Sequence, residues 1–194
     1  MRPVTRAELL DLGAYEEVRE RFRARIIALK KGRYVALGPA MTVLFENRDT
    51  ALFQVQEMLR TERIFEAEGI AEELAAYNPL IPDGSNWKVT FLIEYTDPEV
   101  RRVQLEKLRG VEDRCWVQVS GFERVLAIAD EDMERENEVK TSAVHFLRFE
   151  LSDAMREKLK GGAALSVGID HPEYQHQISP APDYVRASLI ADLD

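Results

Sequence analysis

The sequence predicts an α+β fold with a largely antiparallel sheet and hairpins, one long central helix and an N-terminal amphipathic helix. Its β-rich segments come in pairs that are joined by short turns, which is typical of hairpins. Helical segments separate these pairs, whereas a parallel sheet requires strands and helices to alternate strictly. The 194 residues contain no internal repeat and no long linker, so we expect a single domain over residues 1–194.

The N-terminal helix is predicted from its cap and its apolar stripe. Thr5 and Glu8 form a capping box ahead of the first helical segment. The amphipathic helix that follows is expected to end near Gly32. Its apolar stripe consists of Tyr15, Val18, Phe22, Ile26 and Leu29.

The central helix is predicted to be the longest regular element. Asn47 is a favourable N-cap residue, and the helix is expected over about residues 48–68, up to an interruption at Gly69. One or two further turns are expected over residues 70–77, because Pro79 ends the segment.

The strands are predicted from alternating or β-branched segments between turn residues. In chain order they cover residues 34–37, 41–45, 87–95, 115–119, 124–129, 141–151 and 164–169. Shorter helices are expected over 99–108 and 152–159, and a polar tail with several prolines begins at His171.

The charge balance argues against two classes of partner. Asp and Glu number 35 against 26 Lys and Arg, which gives a formal net charge of −9. Nucleic acids and anionic membranes attract proteins with surplus cations, so we expect neither as a partner. No apolar run of about 18 residues occurs, so no transmembrane helix is expected.

Cysteine content and motifs limit the chemistry that the chain can carry. Cys115 has no second cysteine to pair with, which suits a reducing cytoplasm and excludes an iron–sulfur cluster held by this chain alone. The N-terminal segment lacks the apolar stretch of a signal peptide. The sequence contains no nucleophile elbow, no P-loop and no dinucleotide-binding fingerprint. Cys115 lies beside Trp116 in an apolar strand, where a thiol is usually inert.

Four longer stretches resemble one bacterial family. They are VALGPAMTVLFENRDT, QVQEMLRTERIFEAEGIAEEL, AYNPLIPDGSNWKVTFLIEY and KTSAVHFLRFEL. Together they are similar to the DUF3501 family, whose members have about this length and no established reaction. The resemblance implies a setting beside rubrerythrin and an iron–sulfur oxidoreductase, because genes of this family often neighbour genes for those proteins. It assigns no catalytic residue.

Two carboxylates in the central helix are candidate metal ligands. With about 3.6 residues per turn, Glu62 and Glu66 fall within the same arc as the apolar residues of this helix. Buried carboxylates need a proton, a cation or an arginine partner, and helical glutamates build carboxylate-bridged metal sites together with histidines. The alternative is an ion pair with Arg60, Arg63 or Arg148, or a position at the helix rim.

The three histidines are the other candidate ligands for a divalent metal such as Fe, Zn or Mn. His145 shares a strand face with apolar residues, so it is expected to point inward, either as a hydrogen-bonded core residue or as a ligand. His171 and His176 lie in the segment 170–176, which also fits a solvated loop with no ligand role.

Charge is distributed unevenly along the chain. Between Arg19 and Arg33 seven cations face one acid, Glu20, whereas the run Asp130–Glu138 contains six acids and one arginine, Arg135. These runs are either two solvated faces or surfaces that meet each other or an oppositely charged partner.

Two functional hypotheses from different classes follow. The first is a cytoplasmic accessory protein without a recognisable reactive centre, homodimeric, that works beside a redox or iron–sulfur protein through protein contacts. The second is a metal-binding enzyme or sensor that uses Glu62, Glu66 and one or more of the three histidines, His145, His171 and His176. Whether the protein is an enzyme stays open at this point.

Overall fold

The structure is a computed structural model that describes residues 1–129 and 141–194, so the acidic run Asp130–Glu138 lies outside the described residues. The α-helices are α1 (Leu12–Lys30), α2 (Arg48–Thr61), α3 (Ala67–Tyr77), α4 (Pro98–Lys107), α5 (Asp153–Lys160) and α6 (Asp183–Ile190). The strands are β1 (Tyr34–Ala36), β2 (Met41–Phe45), β3 (Asn86–Ile93), β4 (Cys115–Val119), β5 (Val125–Leu126), β6 (Ile128–Ala129), β7 (Val144–Glu150), β8 (Leu165–His171) and β9 (Tyr174–Ile178). Short 3₁₀ turns occupy Arg6–Glu8, Asn78–Leu80 and Glu112–Arg114.

The strands form two antiparallel sheets, which confirms the predicted α+β class. Sheet A has the strand order β1-β2-β3-β7-β6, and sheet B has the order β5-β4-β8-β9. Each strand pairing in the described part of the chain is antiparallel.

The segment predicted as one strand over 124–129 passes from one sheet to the other. Val125 and Leu126 pair with β4 in sheet B, while Ile128 and Ala129 pair with β7 in sheet A. Between them, the Ala127 N–H donates to the carbonyl of Cys115. This corner strand therefore joins the two sheets along one side of the core.

One contiguous core lies between the inner faces of the two sheets. In sheet A, Val43, Phe91 and His145 are cross-strand neighbours on the inner face, and in sheet B, Cys115 faces Ile169. Helices α4, α5 and α6 close the core with Leu105, Leu108, Leu159, Val185 and Leu189. The alternate positions of each strand point outward.

Helices α1 to α3 cover the outer face of sheet A. They pack against one another, and a second small cluster of Val4, Ala51 and Ile81 joins the N-terminal segment to α2 and to the loop before β3. The predicted capping box of Thr5 and Glu8 is present, although it caps a single 3₁₀ turn and α1 begins only at Leu12. Within residues 1–129 and 141–194, none of the helices is long and apolar enough to span a bilayer.

The prediction of one helix over 48–68 is wrong, because α2 ends at Thr61 and α3 begins at Ala67. Arg63 adopts a left-handed conformation with φ 54°, and the Ile64 N–H donates to the carbonyl of Leu59. This hydrogen bond is the helix-ending pattern that glycine usually supports, and an arginine in that position gave no sequence signal.

The polar segment from His171 contains a further strand and a further helix that were not predicted. His171 ends β8, a turn at Pro172 and Glu173 follows, and the chain returns as β9 in an antiparallel hairpin. Helix α6 then packs on the core through Val185 and Leu189.

Candidate functional site

A cavity lies between the helical layer and the outer face of sheet A. Leu44, Thr90 and Phe146 are neighbours in register on that face and form its floor. Its volume is about 240 Å³, and the remaining lining residues are Lys30, Glu46, Thr50, Ala51, Gln54, Tyr77, Leu80 and Val144. The cavity therefore combines polar groups of the helices with Glu46 and Thr90 around a floor that is otherwise apolar.

Glu46 is the buried charge of this cavity, with 8% of its surface exposed. The Thr90 hydroxyl donates to Glu46 Oε1 at 2.6 Å. The main chain of Glu46 is fixed on both sides, since its N–H donates to the carbonyl of Lys88 and its own carbonyl accepts from Arg33. A small molecule in the cavity would meet this carboxylate and the Lys30 amine.

An exposed apolar patch lies next to the cavity, at the end of α1. Ile27, Tyr34 and Tyr184 are 47%, 43% and 63% exposed, and with Lys30 and Lys31 they line a shallow hollow of about 680 Å³. We call these five residues the docking patch. Exposed large apolar side chains that cluster in this way mark interaction surfaces more often than isolated ones do.

The docking patch is held in place where the turn between α1 and β1 packs against α6. A Cβ at Gly32 would lie 3.2 Å from the Ser188 Cβ, so the turn approaches α6 closely at this glycine. Next to it, the buried Arg33 donates to the carbonyls of Phe45 and Ser188 and pairs with Asp192. Tyr184 on α6 and Ile27 on α1 are therefore presented by a rigid base.

The basic run over 19–33 does not form one solvated face. Arg33 is buried, Arg19 pairs with Glu57 at 2.8 Å, and Arg25 pairs with Asp49 at 2.7 Å. Tyr15 is also buried there, and its hydroxyl donates to Glu57 at 2.6 Å. Two of the seven cations of this run thus bind α1 to α2.

A match to a family profile assigns the chain to a protein family. The profile described as "Protein of unknown function (DUF3501)" matches residues 3–193. The chain belongs to the DUF3501 family. This match confirms the family membership that was expected from the resemblance of the four sequence stretches.

A solved structure supports the fold of this DUF3501 protein. A crystal structure of a protein of unknown function from Burkholderia pseudomallei K96243 is 52% identical, with full coverage of both chains and a TM-score of 0.95. A comparison with curated proteins finds no match.

In this DUF3501 protein the two predicted carboxylate ligands do not lie on the buried side of one helix. Glu62 is the residue that ends α2, Glu66 is the residue that precedes α3, and both are exposed. The expectation that both glutamates are buried is wrong, because α2 ends at Thr61, eight residues before the predicted interruption at Gly69.

His145 is buried and hydrogen-bonded. Its Nε2 lies 3.0 Å from the Thr141 hydroxyl and 3.0 Å from the Ser142 carbonyl, and 3.9 Å from Glu112 Oε2. Its ring packs beside Phe91, its cross-strand neighbour. The inward orientation expected from the strand pattern is therefore present.

His171 and His176 lie on one hairpin but point to different surroundings. His171 Nε2 lies 3.1 Å from the Arg109 carbonyl, and its Nδ1 accepts the Glu173 N–H, so both ring nitrogens have partners. His176 is exposed, and its ring centroid lies 4.6 Å from that of Tyr174.

Among the residues that the structure describes, no three His, Cys, Asp or Glu side chains are grouped so that they could hold a metal ion. The assignment of Glu62, Glu66, His145, His171 and His176 as ligands stays a prediction. Elemental analysis of protein purified without a histidine tag tests it. One Fe, Zn or Mn per chain would support a metal site, and substoichiometric values would remove it.

Cys115 is a buried side chain rather than an accessible nucleophile. Burial and the nearby carboxylates of Glu112 and Asp113 raise the pKa of its thiol well above the ordinary value. Since the thiolate is the reactive form, this cysteine is poorly suited to nucleophilic attack.

Proposed function

We propose that this protein is a non-catalytic accessory protein that acts by binding a redox or iron–sulfur protein. The observation that carries the proposal is the docking patch of Ile27, Lys30, Lys31, Tyr34 and Tyr184. Tyrosine is enriched at the energetic centre of protein interfaces, and the docking patch contains two exposed tyrosines, Tyr34 and Tyr184.

The charge of the docking patch specifies the partner surface. Lys30 and Lys31 border the apolar side chains, whereas the chain as a whole carries a net charge of −9. A partner that binds here needs an apolar centre with acidic groups around it, because complementary charges steer and orient association. The redox or iron–sulfur class of the partner rests on the gene neighbourhood that the family resemblance implies.

Affinity capture with matched variants tests the proposal. Tagged wild-type protein, Ile27→Glu and Ile128→Glu are used to capture proteins from a native lysate, and the captured redox and iron–sulfur proteins are quantified. Ile128 is a suitable control because it is an exposed isoleucine, at 38%, on the corner strand rather than in the docking patch.

We expect wild type and Ile128→Glu to capture the same redox protein, and Ile27→Glu to capture about tenfold less, because a buried charge replaces an apolar contact. Capture of no redox or iron–sulfur protein would contradict the proposal, as would equal capture by both variants.

A further inference from the structure

A second cavity lies on the other side of the molecule, on the outer face of sheet B. Its volume is about 240 Å³, below the range of about 300–1,000 Å³ that encloses drug-sized ligands. Its polar lining residues are Trp116, Arg124, Asp170, Gln175, His176 and Gln177. It has room for one small molecule, and none of its lining residues in the described part of the chain belongs to a helix.

The indole of Trp116 forms the base of this cavity. Trp116 is opposite Gly168 in the register of β4 and β8, and a Cβ at Gly168 would overlap the indole atoms Cζ2 and Cε2. The glycine therefore allows the indole to lie flat across the outer face of sheet B. Arg124 covers the opposite ring face, with its guanidinium carbon 4.0 Å from the ring centroid.

The indole N–H of Trp116 is an unused donor. Trp116 is only 2% exposed, and its Nε1 has no hydrogen-bond partner among the described residues. Nε1 is bonded to Cε2, which lies over Gly168, so this N–H lies on the outer face of sheet B but is shielded by neighbouring atoms, and an acceptor in the cavity reaches it only when those side chains move. Buried polar groups of native proteins are almost always hydrogen-bonded, so a donor in this position calls for an acceptor.

The charged side chains beside the Trp116 indole N–H indicate the chemical class of the ligand that would accept its hydrogen bond. One guanidinium nitrogen of Arg124, Nη1, donates to Asp170 Oδ2 at 3.3 Å. The other N–H groups of the planar guanidinium are then available to bind a ligand carboxylate. Asp170 is 58% and Arg124 43% exposed, so their ion pair is weak and can be shared with a ligand. A ligand with both a carboxylate and an amine would keep both side chains paired.

We propose that this cavity binds a small amino acid-type zwitterion. Its carboxylate accepts hydrogen bonds from Trp116 Nε1 and the Arg124 guanidinium, and its ammonium group pairs with Asp170. This site is independent of the docking patch, which lies at the junction of α1, β1 and α6.

NMR of the two indole N–H groups tests this proposal. The chain has two tryptophans, and the indole N–H of Trp87 donates to the Leu189 carbonyl at 3.1 Å inside the core. Trp87 therefore serves as an internal control, and the Trp116→Phe variant assigns the two signals. Glycine, L-alanine and L-glutamine are the probes, with acetate and methylamine as partial probes.

We expect a saturable shift of the Trp116 signal with at least one zwitterion, while the Trp87 signal stays unchanged. Arg124→Leu is expected to weaken that binding about tenfold or more. In Asp170→Asn the zwitterion is expected to bind no more tightly than acetate, because the partner of the ammonium group is gone. The proposal is overturned if no zwitterion shifts the Trp116 signal, if acetate binds as tightly as the zwitterions, or if Arg124→Leu binds like wild type.

Discussion

Arg33 joins three parts of the fold through one buried guanidinium. It lies just before β1, donates to the carbonyls of Phe45 and Glu46 at the end of β2, and pairs with Asp192 after α6. Burial raises the pKa of Asp192, and the nearby charge of Arg33 opposes that rise. Each of these two charged groups can therefore remain buried only because the other is next to it.

Replacing Arg33 is therefore expected to cost stability. Arg33→Met should lower the free energy of unfolding by about 3–5 kcal/mol, because Asp192 is left buried without its cation. The double variant Arg33→Met, Asp192→Leu should recover part of this free energy, because neither residue of the pair then carries a charge. Urea unfolding measures both, with the exposed Arg23→Met as a control that should change by less than about 0.5 kcal/mol. Equal losses in the Arg33 and Arg23 variants would contradict this account.

Glu8 fastens the N-terminal segment to α2. Its carboxylate accepts the N–H of Thr5 at 2.9 Å and a guanidinium N–H of Arg48 at 2.6 Å. These two hydrogen bonds, the first being the larger cause, lower the pKa of Glu8 from 4.5 to about 2.

The low pKa of Glu8 predicts how stability depends on pH. The unfolded chain binds the proton near pH 4.5 and the folded chain only near pH 2, so the contribution of Glu8 is present above pH 4.5 and is lost as the pH falls to 2. The free energy of unfolding of wild type should therefore approach that of Glu8→Gln over this range. Chemical unfolding at several pH values measures the difference, and a difference that does not depend on pH would exclude this role.

At the scale of elements, the break between α2 and α3 depends on one residue in an unusual conformation. Arg63 has φ 54°, a region in which L-residues other than glycine are disfavoured by about 1 kcal/mol. The helical pattern of the sequence continues through this position, so periodicity alone predicts one longer helix. On that helix Glu62 and Glu66 would fall on the buried side.

Arg63→Gly is expected to raise the free energy of unfolding by up to about 1 kcal/mol, because glycine adopts positive φ without a steric cost. Arg63→Ala separates the backbone effect from loss of the side chain and should not stabilise the protein. Thermal unfolding of the two variants checks the prediction. Stabilisation by alanine equal to that by glycine would show that backbone conformation is not the cause.

Most of the strands, with the exception of β9, were predictable because their signals are local. Alternation in β3 and turn residues at Gly38 and Gly121 identify the hairpins directly from the sequence. Helix α6 was not predictable in the same way, because it is short and follows two prolines, Pro180 and Pro182. It is stabilised by packing of Val185 and Leu189 on the core, which depends on residues far away in the sequence.

At the scale of the whole molecule, the arrangement of two sheets around one core is not encoded locally. The pairs β2–β3 and β4–β8 join segments separated by about 40 or more residues. The docking patch likewise combines α1, β1 and α6, so Ile27, Tyr34 and Tyr184 could not be grouped from the sequence. The candidate site was therefore less predictable than the fold.

We expect two copies of the chain to associate through α4. Val100 and Val103 are 46% and 37% exposed and lie on the same helix face, with Glu99 and Arg102 beside them. In a symmetric pair these opposite charges can meet across the axis. Val103→Glu should convert the dimer to a monomer in sedimentation velocity, whereas Phe65→Glu on the α2–α3 connection should not. A monomeric wild type at all concentrations would contradict this expectation.

Photo-crosslinking tests most directly whether the docking patch binds a redox or iron–sulfur protein, as we propose. A photoreactive aromatic residue is placed at Tyr184, or at Phe65 as a control of similar exposure, 63% against 68%, in cells that natively express the protein. Irradiation is predicted to yield a redox or iron–sulfur protein crosslinked at position 184 and not at position 65. Absence of such a product at position 184, or the same products at both positions, would contradict the account.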